Sequence, residues 1–278
     1  MNRKNGMDQD TGKFRTNTKD QYYTRSAIAR ECIQNILHLV PDASQYQWIE
    51  PSAGNGSFLK ALPNGIQAIG IDLDPKMDDV LKGDFLTWEP TSEAKRIFFG
   101  NPPFGKQGSL AKSFIQHSAK YATIIAFILP KSFVKPSMSR AFPSKFHCIL
   151  EKELPRDSFE VNKVSYDVPC VFQIWQKGLE DRPMPEAVKE IGFKYVKSSE
   201  DYQIAFRRVG ARAGICFLKG SGEFSIQSHY FLKLDIPHKS NNLIQAINKH
   251  IFPSNTVGPR SLSKGEVNEV INRLLLSL

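Results

Sequence analysis

Between Gly100 and Gly105 the chain reads Asn101-Pro102-Pro103-Phe104. Two prolines in a row make a stiff turn, which fixes the direction of the Asn101 side chain and of the Pro102 carbonyl. Two oxygen acceptors can then face one amino group. An exocyclic amine such as adenine N6 has its lone pair delocalised into the ring and is a poor nucleophile. Donating both N–H bonds to Asn101 Oδ1 and to the Pro102 carbonyl draws the nitrogen toward sp³ geometry and localises that lone pair toward an incoming methyl. Such a site works by positioning and electrostatics, with no covalent enzyme intermediate. Phe104 adds a face for the base, a contact of about 1–3 kcal/mol. The same stretch matches G-x-x-x-x-G-K through Gly100, Gly105 and Lys106. A phosphate loop aims backbone N–H groups at its ligand, and two prolines remove two of them; Gln107 also stands where Ser or Thr is required. A phosphate loop is excluded.

A second set of residues lies upstream. In Trp48-Ile49-Glu50-Pro51-Ser52-Ala53-Gly54-Asn55-Gly56 an apolar run ends on an acid and enters Gly-x-Gly, which lets the backbone turn tightly against a ligand. A helix is expected after it, and the third glycine of a dinucleotide fingerprint is missing. Asp72 ends the next apolar run, followed by Leu73 and Asp74, and is placed to accept both hydroxyls of a ribose; Asp84-Phe85 puts a third acid at a strand end. Strand ends carrying glycines and acids describe a crevice for a nucleoside that bears positive charge and lacks phosphates. S-adenosylmethionine fits that description.

These residues need a scaffold. Ile28, Cys32, Ile36, Leu37 and Val40 recur at helical spacing and predict a helix over 26–40; Leu110, Phe114, Ile115 and Ala119 predict another over 110–121. Short apolar runs at 46–50, 68–72, 97–100 and 123–129 read as strands. Their alternation with helices predicts an α/β protein with a mostly parallel sheet and functional loops at the strand C-terminal ends. Runs at 149–154 and 169–175 predict an antiparallel edge pair. Pro183 and Pro185 look like a linker, and Ser263 with Glu266 predicts a capping box at the start of a last helix. Residues 1–20 lack periodicity and read as a mobile tail.

The motifs together resemble the S-adenosylmethionine-dependent N6-adenine DNA methyltransferases, in the γ-type motif order. Gln21-Tyr22-Tyr23-Thr24 resembles that family's N-terminal cofactor motif, in which the Thr touches the cofactor's amino-acid end. Residues 49–54 match its methionine-binding loop, Asp72 its ribose acid with Leu73 beside it, Asp84-Phe85 its adenine-amine motif, and Asn101-Pro102-Pro103-Phe104 its catalytic tetrapeptide. Residues 127–133 resemble the strand and loop that follow. Phe159 falls where an aromatic stacks on a flipped adenine. The resemblance spans about 20–178 and implies a Rossmann-like class I methyltransferase domain with a seven-stranded sheet. Residues 179–278 are then expected to be a small α+β target-recognition domain.

The formal net charge of +9 fits a polyanionic partner. Residues 1–130 carry 15 basic and 13 acidic side chains, whereas 131–278 carry 22 and 15. The excess therefore falls on the C-terminal half, where basic and aromatic residues interleave. Lys106, Lys131, Lys163, Arg207, Arg208, Arg212 and Lys219 are the expected contacts to nucleic acid. DNA is the favoured substrate; structured RNA, or a catalytically silent nucleic-acid-binding partner of the same fold, are the alternatives. Cys32, Cys148, Cys170 and Cys216 follow no metal or disulfide spacing and read as reduced core residues, so no metal is expected. The apolar run over 121–129 is too short to span a bilayer and the N-terminus lacks an apolar segment, which together suggest a soluble cytoplasmic protein.

Overall fold

A computed structural model describes residues 22–161, 164–253, 256 and 259–278. The expected tail over 1–20, Gln21 and Lys163 lie outside the described residues. The chain divides into two compact units, one ending at Pro185 and one running from Glu186 to Leu278. The segment after Gly178 still belongs to the first: Arg182 donates to the carbonyls of Phe146, Ser139 and Phe142.

The first unit contains β1 (Tyr23–Thr24), α1 (Ser26–Leu39), β2 (Gln47–Glu50), β3 (Ala68–Asp72), β4 (Val80–Lys82), β5 (Arg96–Gly100), α2 (Ser109–Ala119), β6 (Ile124–Pro130), β7 (Phe146–Glu153), β8 (Phe159–Val161), β9 (Val164–Tyr166) and β10 (Cys170–Lys177). Seven strands form one sheet in the order β4-β3-β2-β5-β6-β10-β7. β10 alone runs against the others, inserted between β6 and β7. This is a Rossmann-like α/β arrangement, a mostly parallel seven-stranded sheet with one antiparallel strand.

Burial follows from the topology. The inner strands β5 and β6 are covered on both faces and are buried along their whole length, hence their unbroken apolar character. Arg96 opens β5 inside this core, and its guanidinium is satisfied by Gln47 Oε1 and the Ala94 and Ser92 carbonyls. α2 buries Ala111, Phe114 and Ile115 against Phe98 and Phe127 of the sheet. Cys32 and Cys170 are core residues, but Cys148 is exposed because β7 is the sheet's edge. The helix expected after the glycine loop is only one 3₁₀ turn, Leu59–Ala61. Pro63 and Gly65 follow at once and leave no room for a longer one.

β1, β8 and β9 form a separate three-stranded sheet in which Thr24 lies opposite Phe159. The second unit is an antiparallel sheet of β11 (Phe193–Val196), β14 (His229–Leu234), β12 (Ile204–Arg207) and β13 (Cys216–Leu218), in that order, with α3 (Ser240–Lys249) and α4 (Lys264–Ser277). α4 begins with the capping box: Ser263 Oγ accepts from Glu266 N–H, and the Ser263 N–H donates to the Glu266 carboxylate. Among the described residues no helix is long and apolar enough to cross a membrane.

Candidate functional site

From β2 the chain steps outward through β3 to β4 and then returns to the other side of β2 as β5. Ligands of open α/β sheets sit at such a reversal, beyond the carboxyl ends of the strands. Glu50 ends β2 and Gly100 ends β5, so the acid and Asn101 emerge side by side. Close approach there requires a residue without a side chain. Gly100 has φ +122°, and a Cβ on it would come 3.1 Å from Glu50 Cγ.

Asn101 is held at two points. Its Nδ2 donates to the Tyr22 carbonyl at 3.1 Å, and its own carbonyl accepts from Ser52 Oγ at 3.0 Å. Because a carbonyl can only accept, the first bond fixes which way the amide faces. Asn101 Oδ1 is left buried and without a hydrogen-bond partner. Downstream, the Phe104 carbonyl accepts from the N–H groups of Leu110 and Ala111, which ties the tetrapeptide to the start of α2. Pro102 is buried, while Pro103 and Phe104 are half-buried.

Two further orphaned atoms face the same cavity, which Thr24, Glu50, Ser52 and Asn101 help to line. Thr24 Oγ1 and Glu50 Oε2 are buried without partners. Burial pushes the Glu50 carboxyl well above the ordinary glutamate range, with the nearby Asp72 adding to the rise and a hydrogen bond from the Leu59 backbone opposing it. Buried polar atoms are rarely left unmatched, and here one hydroxyl and two acceptors converge. The cavity is therefore built for a ligand that brings donors and, at Glu50, positive charge.

The remaining expected cofactor residues surround this core. Pro51 and Ala53 are buried in the loop; Gly54, at φ +52°, donates to Asp72 Oδ2 at 2.7 Å, and the Tyr23 ring lies where a Cβ on Gly54 would meet it at 3.2 Å. Asp72 Oδ1 accepts from the Asp74 N–H, so each carboxylate oxygen holds one backbone donor and keeps a lone pair. Leu73 is 69% exposed beside it, an apolar surface at the mouth of the site. Asp84 is exposed and caps the short turn after β4 by accepting from Leu86 N–H. Phe85 is enclosed in the core against Phe98, Phe114 and His117, so its side chain does not reach the crevice. Among the described residues no group of three or more His, Cys, Asp or Glu side chains is arranged to hold a metal ion.

Phe159 is also completely buried. Its ring meets the edge of Tyr22 at 6.4 Å, and Tyr22 meets Tyr166 at 6.0 Å. Phe159 thus presents no open face; the half-buried members of this trio are the two tyrosines. Tyr22 lies in the expected N-terminal cofactor motif, but its part in orienting Asn101 is one that sequence reasoning did not supply. It acts through a main-chain carbonyl, and no residue type signals that role.

Of the basic residues expected at a nucleic acid, Lys106 and Arg212 are exposed, and Lys131 pairs with Glu153. Arg208 lies over the Tyr230 ring at 5.3 Å, Arg207 bonds the Val209 carbonyl, and Lys219 pairs with Asp201 at 3.2 Å.

No family model matches the chain, and no curated protein matches it. Solved structures do. A candidate RNA methyltransferase from Pyrococcus horikoshii superposes with a TM-score of 0.47 at 17% identity, covering 59% of this chain and 91% of that one. The methyltransferase subunit of a type I restriction-modification system from Streptococcus thermophilus gives 0.45 at 15%, covering 94% of this chain and 61% of that one. The M protein of the type I restriction enzyme EcoKI gives 0.42 at 18%, covering 58% and 45%. The chain thus spans less than two thirds of the length of either restriction-system protein.

Proposed function

We propose that this protein transfers a methyl group from S-adenosylmethionine to the N6 amine of adenine in DNA. The observation that carries the reading is Asn101 Oδ1, a buried acceptor with no partner on an amide whose orientation the Tyr22 carbonyl dictates. The cofactor, when bound, supplies a methyl group on a sulfonium centre. Glu50 and Thr24 would hold its amino-acid end, where the orphaned carboxylate oxygen and hydroxyl meet an ammonium and a carboxylate. Asp72 would accept from the ribose, Leu73 would cover the adenine ring, and Asp84 would take its amine.

Asn101 Oδ1 and the Pro102 carbonyl accept the two N–H bonds of the target amine and aim its lone pair. As nitrogen gains the methyl carbon it gives up one proton. Neither acceptor is basic enough to keep that proton, so it leaves to water and the product base is neutral. The residues contribute orientation and charge stabilisation throughout. Phe104 supports one face of the base.

The test is methyl incorporation into DNA and RNA oligonucleotides of the same sequence at matched salt, with Asn101→Ala as control. Label on adenine N6 of DNA, lost in Asn101→Ala, supports the reading. Preferential label on RNA moves the substrate to RNA with the same chemistry. No label on either, with cofactor bound, overturns it.

A further inference from the structure

We propose that Met77 is a positioning residue for the cofactor: seated on Gly56, it locks the glycine loop against the segment that follows β3. The proposal rests on the S-adenosylmethionine reading above and adds what sets the shape of that site. In that reading the loop meets the cofactor's amino-acid end, and the segment begins at Asp72, the acceptor for its ribose. One clasp then fixes the spacing between the two ends of one ligand.

The loop from Ala53 to Gly56 is fastened at every residue. The Ala53 N–H donates to the Ile71 carbonyl at 3.0 Å, and the Gly54 N–H to Asp72 Oδ2 at 2.7 Å. The Asn55 carbonyl accepts from Lys60 Nζ at 2.8 Å, and the Gly56 N–H donates back to the Ala53 carbonyl at 2.7 Å. Beyond Asp72 the chain returns over this loop. Asp72 Oδ1 takes the Asp74 N–H, Pro75 stiffens the return, and the Lys76 N–H donates to the Gly54 carbonyl at 3.1 Å. The arch is closed at its base, where the Gly83 N–H donates to the Asp72 carbonyl at 2.9 Å. Met77 follows, half-buried, with its side chain on Gly56. Gly56 has φ +73°, and a Cβ there would lie 1.8 Å from the Met77 sulfur. The thioether fills the place that a side chain at position 56 would take.

Glu50, Ser52, Ala53 and Asn55 help to line the cavity that the orphaned atoms face. Met77 is not in that lining; it bears on the loop and reaches a ligand only through it. Its contribution is preorganisation, because a loop that is already ordered loses little when the ligand arrives. Freeing one loop residue costs about tenfold in affinity. An unbranched thioether suits a gap of this shape. A ligand that spans the loop and Asp72 gains from their fixed spacing, whereas one that meets Asp72 alone does not.

The experiment is calorimetric titration of the full chain with S-adenosylmethionine, S-adenosylhomocysteine and adenosine, which lacks the amino-acid end, together with steady-state methyl transfer. Met77→Ala should weaken the first two ligands and raise the cofactor KM about tenfold. It should leave adenosine affinity and kcat at saturating cofactor unchanged. Met77→Leu keeps the volume and should recover most of the loss. Gly56→Ala should bind the cofactor poorly, and adding Met77→Ala should restore part of the affinity by removing the obstacle; the strain at φ +73° remains. Melting temperatures establish which variants fold, and if Gly56→Ala does not, the Met77 variants decide alone. Unchanged cofactor affinity in Met77→Ala, an equal loss for adenosine, or a folded Gly56→Ala that gains nothing from Met77→Ala overturns the proposal. If the native protein binds neither S-adenosylmethionine nor S-adenosylhomocysteine, the cofactor reading itself falls. If it binds both and Met77→Ala binds them as tightly, only the clasp is excluded.

Discussion

The Asn101 side chain donates from Nδ2 to the main-chain carbonyl of Tyr22, 79 residues away in sequence, at 3.1 Å. The bond joins the end of β5 to the entry of β1, and it decides that the acceptor, not the donor, of the amide faces the cavity. β1 is held in turn by its pairing with β8 and by the Arg25–Asp157 ion pair. The orphaned oxygen is thus aimed by an element that contributes nothing to the main sheet.

Asn101→Ala removes that oxygen and is expected to lower methyl transfer by about 10²-fold or more, the scale of losing one preorganised polar group at a reacting centre. The proposed cofactor contacts of Glu50, Thr24 and Asp72 stay in place, so cofactor affinity should change little. Single-turnover methylation and calorimetry separate the two; a variant with wild-type turnover would exclude the proposed chemistry.

Gly100→Ala tests the close packing at the switch point. At φ +122° a side chain is strained by about 1–3 kcal/mol, and its Cβ would press on Glu50 at 3.1 Å. Since the obstacle is the root of a buried side chain, Glu50 must shift. The variant should melt several degrees lower, about 2–4 °C per kcal/mol for a domain of this size, and lose cofactor affinity. An unchanged melting temperature would show that the strand end relaxes freely.

Much of this was legible in the sequence, for identifiable reasons. α1, α2 and the strands β2, β3, β5, β6, β7 and β10 carry periodic or unbroken apolar patterns. These fix where they start and stop to within a few residues, whereas the short strands β1, β4, β8 and β9 and those of the second unit carry no such pattern. The capping box at Ser263 is a local signal and reads directly. Glu50, Asp72 and Asn101 stand at strand ends, Glu50 and Asn101 directly beside Gly or Pro, so their types and positions together mark the crevice. What stayed hidden is non-local. Phe85 and Phe159 have the residue type of a stacking ring, but only tertiary packing shows that the core takes both. The Tyr22 carbonyl has no sequence signature, and strand parity alone could not tell which aromatics of the second unit its helices would cover.

Ser263→Ala tests the second unit by itself. It removes the hydroxyl that accepts from Glu266 N–H and half of the reciprocal cap, at a cost of about 1 kcal/mol. For a unit of this size that corresponds to a melting shift of about 4–8 °C. Hydrogen exchange should place the loss in α4 and its packing partners and leave amides of β5 and β6 unchanged. Equal loss in both units would show that they unfold together.

Glu50 gives the pH dependence. Its carboxyl is raised well above the ordinary glutamate value by burial, so in the empty site it stays protonated through a window that begins near pH 4.5. A cationic ligand pairs with the carboxylate and not with the acid, so binding releases a proton and the affinity for S-adenosylmethionine should rise with pH across that window. The stability of the empty protein runs the opposite way. A raised folded-state value contributes stability that is fully present below the unfolded value and is lost as pH rises through the folded one. Glu50→Gln cannot ionise: it should flatten both profiles, raise the melting temperature of the empty protein above the window, and weaken cofactor binding there by about tenfold or more, as expected for losing a charge-assisted contact. Calorimetry in two buffers of different ionisation enthalpy counts the released proton. A pH-independent affinity in the native protein, or the same proton count in Glu50→Gln, would remove Glu50 from the cofactor's ammonium site.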